Sequence, residues 1–208
     1  MAPEFLLATR SHDKAAEIVE VVGAAPPVRV ITLADLGIAP SPAEDDVENF
    51  PTFLANALAK GRYFAQLTGR ATLADDSGLM VDALNGRPGV RTKRFAIDHG
   101  YQGGSGKQLD EANNKLLLEQ LRDVPEGNRG AHYVCAAALV RPDGDAMTAV
   151  GTCTGTIAYA PKGNAGFGYD PLFVIPELGV TFAQLTRAQK HQFSHRARAF
   201  RALAPHIR

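Results

Sequence analysis

The stretch Ala74-Asp75-Asp76-Ser77-Gly78 sets two adjacent carboxylates among apolar neighbours, with Ala71, Leu73 and Ala74 before them and Leu79, Met80 and Val81 after. Neighbouring anions in such company repel each other and lose hydration. A hard divalent cation such as Mg²⁺ relieves both costs, taking carboxylate oxygen together with phosphate oxygen and water. The other reading of the dipeptide is a turn, in which one Asp caps a backbone N–H and its neighbour stays solvated. Two lysines bear on the choice. On a helix, Phe53, Ala57, Phe64 and Leu67 share one stripe and Lys60 falls inside it, either snorkelling to water or aiming its ammonium at a polyanion in a cleft. Lys14 follows the first strand, in the junction Thr9-Arg10-Ser11-His12-Asp13-Lys14, whose N–H groups, hydroxyls and cation suit phosphate oxygens. Two cations beside an acidic metal site are what phosphoryl chemistry requires, because developing oxyanion charge must be neutralised.

Two further clusters could read a ligand. Ser194-His195-Arg196 opens a helix with Ser194 as N-cap, and an arginine in a first turn opposes the helix dipole unless an acceptor-rich ligand, or solvent, takes it up. Gly166-Phe167-Gly168-Tyr169-Asp170-Pro171 is a glycine-flexed turn. Its two rings either pack inward or form a platform on which a base stacks. Three other patterns fail on inspection. Gly103-Gly104-Ser105-Gly106-Lys107 is no P-loop, since Tyr101 and Gln108 replace the required Gly and Ser/Thr and no strand precedes it. His191 and His195 have the spacing of a zinc helix, but Gln192 stands where Glu is needed and the cap at Ser194 breaks the helix between them. Asp143-Gly144-Asp145 is hairpin punctuation.

The elements that must position these groups alternate between strand and helix. Strands are expected over Phe5 to Ala8, Val28 to Leu33, Ala71 to Asp75, and Ala131 to Val140, and after a turn at Arg141 to Asp145 in a run through Tyr159. Helices are expected over Lys14 to Val22, Phe53 to Thr68 with Thr52 as cap and Gly69 as stop, Gln108 to Leu121 with Leu109, Ala112, Leu116 and Leu117 buried, and a short one after Ser194. The glycine-rich stretch Asp98 to Lys107 reads as a mobile surface loop. An α/β chain with a mixed sheet and no internal repeat follows. Its 208 residues suffice for one large domain of two lobes, and 22 basic against 22 acidic side chains argue against broad binding to nucleic acid or membrane. No signal peptide or membrane span is read, and Cys135 and Cys153 read as buried free thiols of a cytoplasmic protein.

In order and spacing, these blocks resemble the inosine triphosphate pyrophosphatase family. The match runs from Phe5-Leu6-Leu7-Ala8-Thr9 through Thr52-Phe53-Leu54-Ala55-Asn56-Ala57 with Lys60, Leu73-Ala74-Asp75-Asp76-Ser77-Gly78-Leu79, Asp82-Ala83-Leu84-Asn85-Gly86 and Pro88-Gly89-Val90, to the Gly166 and Ser194 blocks. The resemblance implies a single domain over 1–208 with a long mixed sheet flanked by helices, and two lobes with a substrate cleft between them. It also implies a homodimer, a Mg²⁺ requirement, and cleavage of ITP, dITP or XTP to monophosphate and pyrophosphate. By position, Glu48 and Asp76 would hold the metal, with Asp76 also the general base and Asp75 its supporting carboxylate. Thr9 to Lys14, Lys60 and Ser77 would hold the triphosphate. Phe167, Gly168, Tyr169 and Asp170, with Lys190, His195 and Arg196, would form the base pocket.

The chain departs from the family where Thr9-Arg10-Ser11 replaces the usual Thr-Gly-Asn, where Ala55-Asn56-Ala57 replaces Glu-Asn-Ala, and where the loop Asp98 to Lys107 is long. A Maf-like pyrophosphatase of pyrimidine or modified nucleotides is the rival enzyme, but it lacks the Phe-Gly-Tyr-Asp and Ser-His-Arg blocks. A non-catalytic nucleotide-binding protein is the rival from another class, and the paired aspartates argue against it.

Overall fold

Alternation along the strands decides which helix each side chain meets. The computed structural model describes residues 2–23, 28–44 and 46–207. Among them, β1 (Glu4–Leu7), β2 (Arg29–Thr32), β3 (Thr72–Val81), β4 (Gly130–Val140), β5 (Ala146–Ile157), β6 (Phe173–Ile175) and β7 (Val180–Thr181) form one sheet in the order β2-β1-β3-β4-β5-β6-β7. The sheet is mixed: β1 pairs in parallel with β2 and β3, whereas β5, β6 and β7 pair antiparallel. The chain divides into two compact units. One comprises residues 1–77, 134–152 and 193–208; the other comprises 78–133 and 153–192, so β3, β4 and β5 each run from one into the other.

In the first unit, Phe5 and Leu7 of β1, Leu73 of β3 and Cys135, Ala137 and Leu139 of β4 pack with Ile18 and Val22 of α1 (His12–Gly23) and Ala199, Phe200 and Leu203 of α5 (His195–Leu203). The intervening residues face the other way. Leu6, Ala8 and Ala74 meet Phe64, and Ala136, Ala138 and Val140 meet Ala57 and Ala65, all three partners being on α2 (Phe53–Thr68). This period of two is the strand rule. α2 begins and ends as its sequence signals predict, with the Thr52 hydroxyl accepting from Ala55 N–H and Gly69 in the left-handed region at φ 65°. Glycine at 61 lets the helix come close, since a Cβ there would lie 2.6 Å from Val140 Cγ2.

The second unit carries α3 (Lys107–Gln120) and α4 (Arg187–Phe193), with Tyr133, Phe173 and Phe182 clustered in its core. Both cysteines are buried free thiols, and α4 stops before the Ser194 cap of α5, as expected.

Four expectations need correction. The strand does not end at Asp75 but runs on to Val81, so the paired aspartates lie mid-strand. Leu67 is exposed, because the buried stripe of α2 turns away before its last turn. The buried face of α3 is Leu109, Asn113, Asn114 and Leu117, with Ala112 and Leu116 only half-buried. Part of the supposed surface loop is a 3₁₀ turn, Ile97–His99, capped by Gly100 in the left-handed region.

Candidate active site

A strand can run through two buried carboxylates only if each finds counter-charge or donors. Alternation sends them to opposite faces. Asp75 shares the face of Leu73 and meets α1 and α5: Lys14 Nζ lies 3.2 Å and Arg196 Nε 3.4 Å from Asp75 Oδ2. Asp76 shares the face of Ala74 and meets α2, accepting from Asn56 Nδ2 at 2.9 Å while its other oxygen takes the Ser77 N–H at 2.9 Å.

The two environments drive the carboxyls apart. Burial pushes Asp75 up, but Lys14, Arg196 and Lys60 outweigh it and hold the group well below the usual carboxylate range. Burial also pushes Asp76 up, and there Lys14, Lys60 and the Asn56 hydrogen bond do not overcome it, so its pKa is raised. Such divergence marks one carboxylate for permanent charge and the other for proton exchange. On Lys60, burial opposes the charge, yet Glu48, Asp75 and Asp76 prevail and its pKa is raised. Its ammonium ion-pairs with Glu48, which answers the snorkelling alternative.

Arg196 is the hub beneath. Its guanidinium, 3% exposed, reaches Asp75, donates to Ser77 Oγ at 2.9 Å and pairs with Glu17 of α1. Ser77 Oγ in turn donates to Asp75 Oδ2 at 3.2 Å. Sequence reading missed Glu17 and Asn56. A lone acid at the buried edge of a helix was the signal for Glu17, and Asn56 sat unassigned inside the Thr52 block.

The strand-to-helix junction is built as a capping turn. Ser11 N–H donates to Thr9 Oγ1 at 3.2 Å, and Ser11 Oγ accepts from Lys14 N–H at 3.3 Å, while His12 and Asp13 are exposed. Arg10, expected at the phosphates, is engaged otherwise. Its guanidinium holds Glu44 at 2.6 and 3.0 Å, Ile38 O at 2.6 Å and Ala39 O at 3.0 Å, tethering the segment that leads to Glu48. Arg10→Ala should therefore cost about 1 kcal/mol in urea unfolding, as half-exposed charged hydrogen bonds usually do, and should open 38–44 to proteolysis. An unchanged midpoint with an intact segment would separate Arg10 from it.

The aromatic turn is in the second unit. Tyr169 is buried and donates to Thr92 O at 2.9 Å, so it anchors the turn. Phe167 is half-buried, with Lys190 Nζ 4.9 Å from its ring centroid. Asp170 binds Lys190 Nζ at 2.5 Å and accepts the Phe167 N–H at 3.1 Å. His195, at the start of α5 in the first unit, is buried.

The residues suit a hard cation. Asp75 Oδ1 is buried without a hydrogen-bond partner among the described residues, and Asp76 and Glu48 supply further carboxylate oxygen. No group of three or more His, Cys, Asp or Glu forms a protein-only cage among the described residues. Mg²⁺ does not need one, since it is usually held by one or two carboxylates with phosphate and water.

Known proteins share this arrangement of elements. The dITP/XTP pyrophosphatase of Frankia alni is 45% identical over 204 residues, covering 98% of this chain and 96% of its own. That of Nocardia farcinica is 47% identical over 202 residues, covering 96% and 92%. Among solved structures, a HAM1 protein from Coxiella burnetii superposes with a TM-score of 0.82 at 32% identity, covering 99% of this chain and 98% of its own. The nucleoside-triphosphatase / dITP/XTP pyrophosphatase of Mycobacterium abscessus gives 0.71 at 42% identity, covering 97% and 99%. With residues 5–206 also matching that family as a whole, the chain belongs to the Ham1 family.

Proposed function

We propose that this protein hydrolyses non-standard purine nucleoside triphosphates, dITP, ITP and XTP, to the monophosphate and pyrophosphate, and so cleanses nucleotide pools. The observation that carries this reading is the carboxylate pair on β3, Asp75 held by Lys14 and Arg196 and Asp76 bonded to Asn56 on the opposite face, with Lys60 paired to Glu48. Relatives named dITP/XTP pyrophosphatase at 45% and 47% identity support the substrate class. No observation favours the Maf-like or non-catalytic alternatives.

Asp76 takes a proton from the attacking water at a carboxylate oxygen, and the raised pKa strengthens it as a base. Asp75 stays charged and, with Arg196 and Ser77, fixes the strand that presents Asp76. Lys14 and Lys60 bring positive charge to the departing pyrophosphate. The Thr9 and Ser11 hydroxyls and the backbone N–H groups of His12 and Asp13 at the head of α1 bind phosphate oxygens, and Ser77 does so on giving up its hydrogen bond to Asp75. A magnesium ion held by Asp76 and Glu48 would neutralise phosphate charge when bound. Phe167 stacks on the purine, and Gly168, Tyr169, Asp170 and Lys190 shape the pocket that prefers a 6-oxo group to adenine's amino group; a base-reading role for His195 rests on the family resemblance. A buried donor left unpaired by the wrong base costs about 1–3 kcal/mol.

No helix among the described residues is long and apolar enough to cross a membrane. A cytoplasmic homodimer completes the reading, on the strength of the family resemblance. Pyrophosphate release with Mg²⁺ from ITP, XTP, ATP, GTP and UTP tests it. Turnover of ITP and XTP with ATP and GTP spared is expected; turnover confined to UTP, or none at all with ITP bound, would overturn it.

A further inference from the structure

The buried face of α3 carries two asparagines, Asn113 and Asn114, in place of the expected Ala112 and Leu116, and a buried amide is costly unless it is bonded. Each has a task. Asn113 accepts from Ala96 N–H at 2.7 Å and donates to Lys93 O at 3.2 Å, holding the helix to the segment before it. Asn114 donates to Gly168 O at 2.9 Å. One turn earlier on the same helix face, Asp110 Oδ2 accepts the Gly168 N–H at 2.9 Å. The two side chains thus grip both backbone polar groups of a single residue, the one next to Phe167.

That residue is a glycine at φ +62°, and nothing lies within 4 Å of where a Cβ would stand. Its glycine identity answers to conformation, not to crowding. Left-handed backbone in an open turn has neighbouring conformations close in energy, so something must select one. On the other side of the Phe167 peptide, Asp170 takes the Phe167 N–H, and Tyr169 is tied to Thr92 O. At Gly168 the holding groups are side chains of α3.

We propose that Asp110 and Asn114 are specificity-positioning residues. By fixing the two peptides that flank Gly168 they set the plane of the Phe167 ring, and with it the choice of base. The inference rests on the reading of the aromatic turn as the base platform given under Proposed function. Neither residue need touch substrate. The pair is also asymmetric in a way that a general stabilising role is not. Asp110→Asn keeps an acceptor oxygen for the Gly168 N–H and loses only the exposed Lys93 pairing, which is worth little. Asn114→Asp is equally conservative in shape, yet it removes the donor and sets a carboxylate against a carbonyl.

The test measures ITP and ATP kinetics, and hydrogen exchange of the 163–172 segment, in Asp110→Ala, Asp110→Asn and Asn114→Asp enzymes. In Asp110→Ala and Asn114→Asp the ITP-over-ATP ratio of kcat/KM should fall about tenfold through a higher ITP KM, with kcat little changed and the Gly168 amide exchanging faster, the scale of one lost hydrogen bond to a charged or buried group. Asp110→Asn should stay near the unmodified enzyme in both readouts. An unchanged ratio despite faster exchange, or a parallel loss of kcat for both nucleotides, would overturn the proposal. An unmodified enzyme without ITP preference would instead overturn the functional reading, and the exchange data would still report whether α3 holds the turn.

Discussion

Asp76→Asn should lower kcat for ITP by about 10²–10⁴-fold, the usual worth of a positioned general base, with nucleotide binding largely retained. The substitution keeps an oxygen for the Ser77 N–H but removes the only one of the pair whose pKa is raised. The pH profile carries the same information. A base must be deprotonated to act, so the unmodified rate should fall as pH drops through the Asp76 value. Burial lifts that value above the ordinary aspartate in the metal-free protein, and a magnesium ion held at Asp76 would lower it again, so the acid limb should move to lower pH as Mg²⁺ is raised. The acid limb should disappear in the residual activity of Asp76→Asn. Full activity in that variant would remove Asp76 from the base role.

Arg196→Ala should cost stability, about 3–5 kcal/mol, because it takes from two buried carboxylates, Asp75 and Glu17, the cation they share, leaving Lys14 to hold Asp75. The sequence assigned this arginine to the base pocket. Its contacts with Asp75, Ser77 and Glu17 shift its largest expected effect to β3 and α1. The sign of the pH dependence follows from Asp75, whose native pKa is depressed. Its contribution is fully present above the unfolded value of about 3.9 and is lost as pH falls through the native one. The gap between unmodified and Arg196→Ala proteins in urea unfolding should therefore be widest near neutrality and close in acid. Glu17→Gln leaves the Asp75 contact in place and should fall between the two. A gap that ignores pH would mean that Arg196 acts through packing alone.

Local signals were the legible ones. Thr52 and Gly69 bracket α2, Ser194 opens α5, and the doublet Asp75-Asp76 announces chemistry before any contact is known. What stayed hidden depends on neighbours remote in sequence. The strand was expected to stop at Asp75 because two buried anions cannot continue it unaided; Lys14, Arg196 and Asn56, brought in by three helices, make the continuation possible. Arg10 read as a phosphate ligand because it lies in a strand-to-helix junction, while its partners Ile38, Ala39 and Glu44 lie about thirty residues on. Asn113 and Asn114 were passed over because periodicity weighs apolar residues only, and an amide that serves another segment's backbone leaves no trace in its own.

The most direct test is to hydrolyse ITP in ¹⁸O-labelled water and locate the label. Attack at the α-phosphorus with Asp76 as base predicts one ¹⁸O in the monophosphate and none in the pyrophosphate. Label in the pyrophosphate, or release of orthophosphate as the first product, would contradict it.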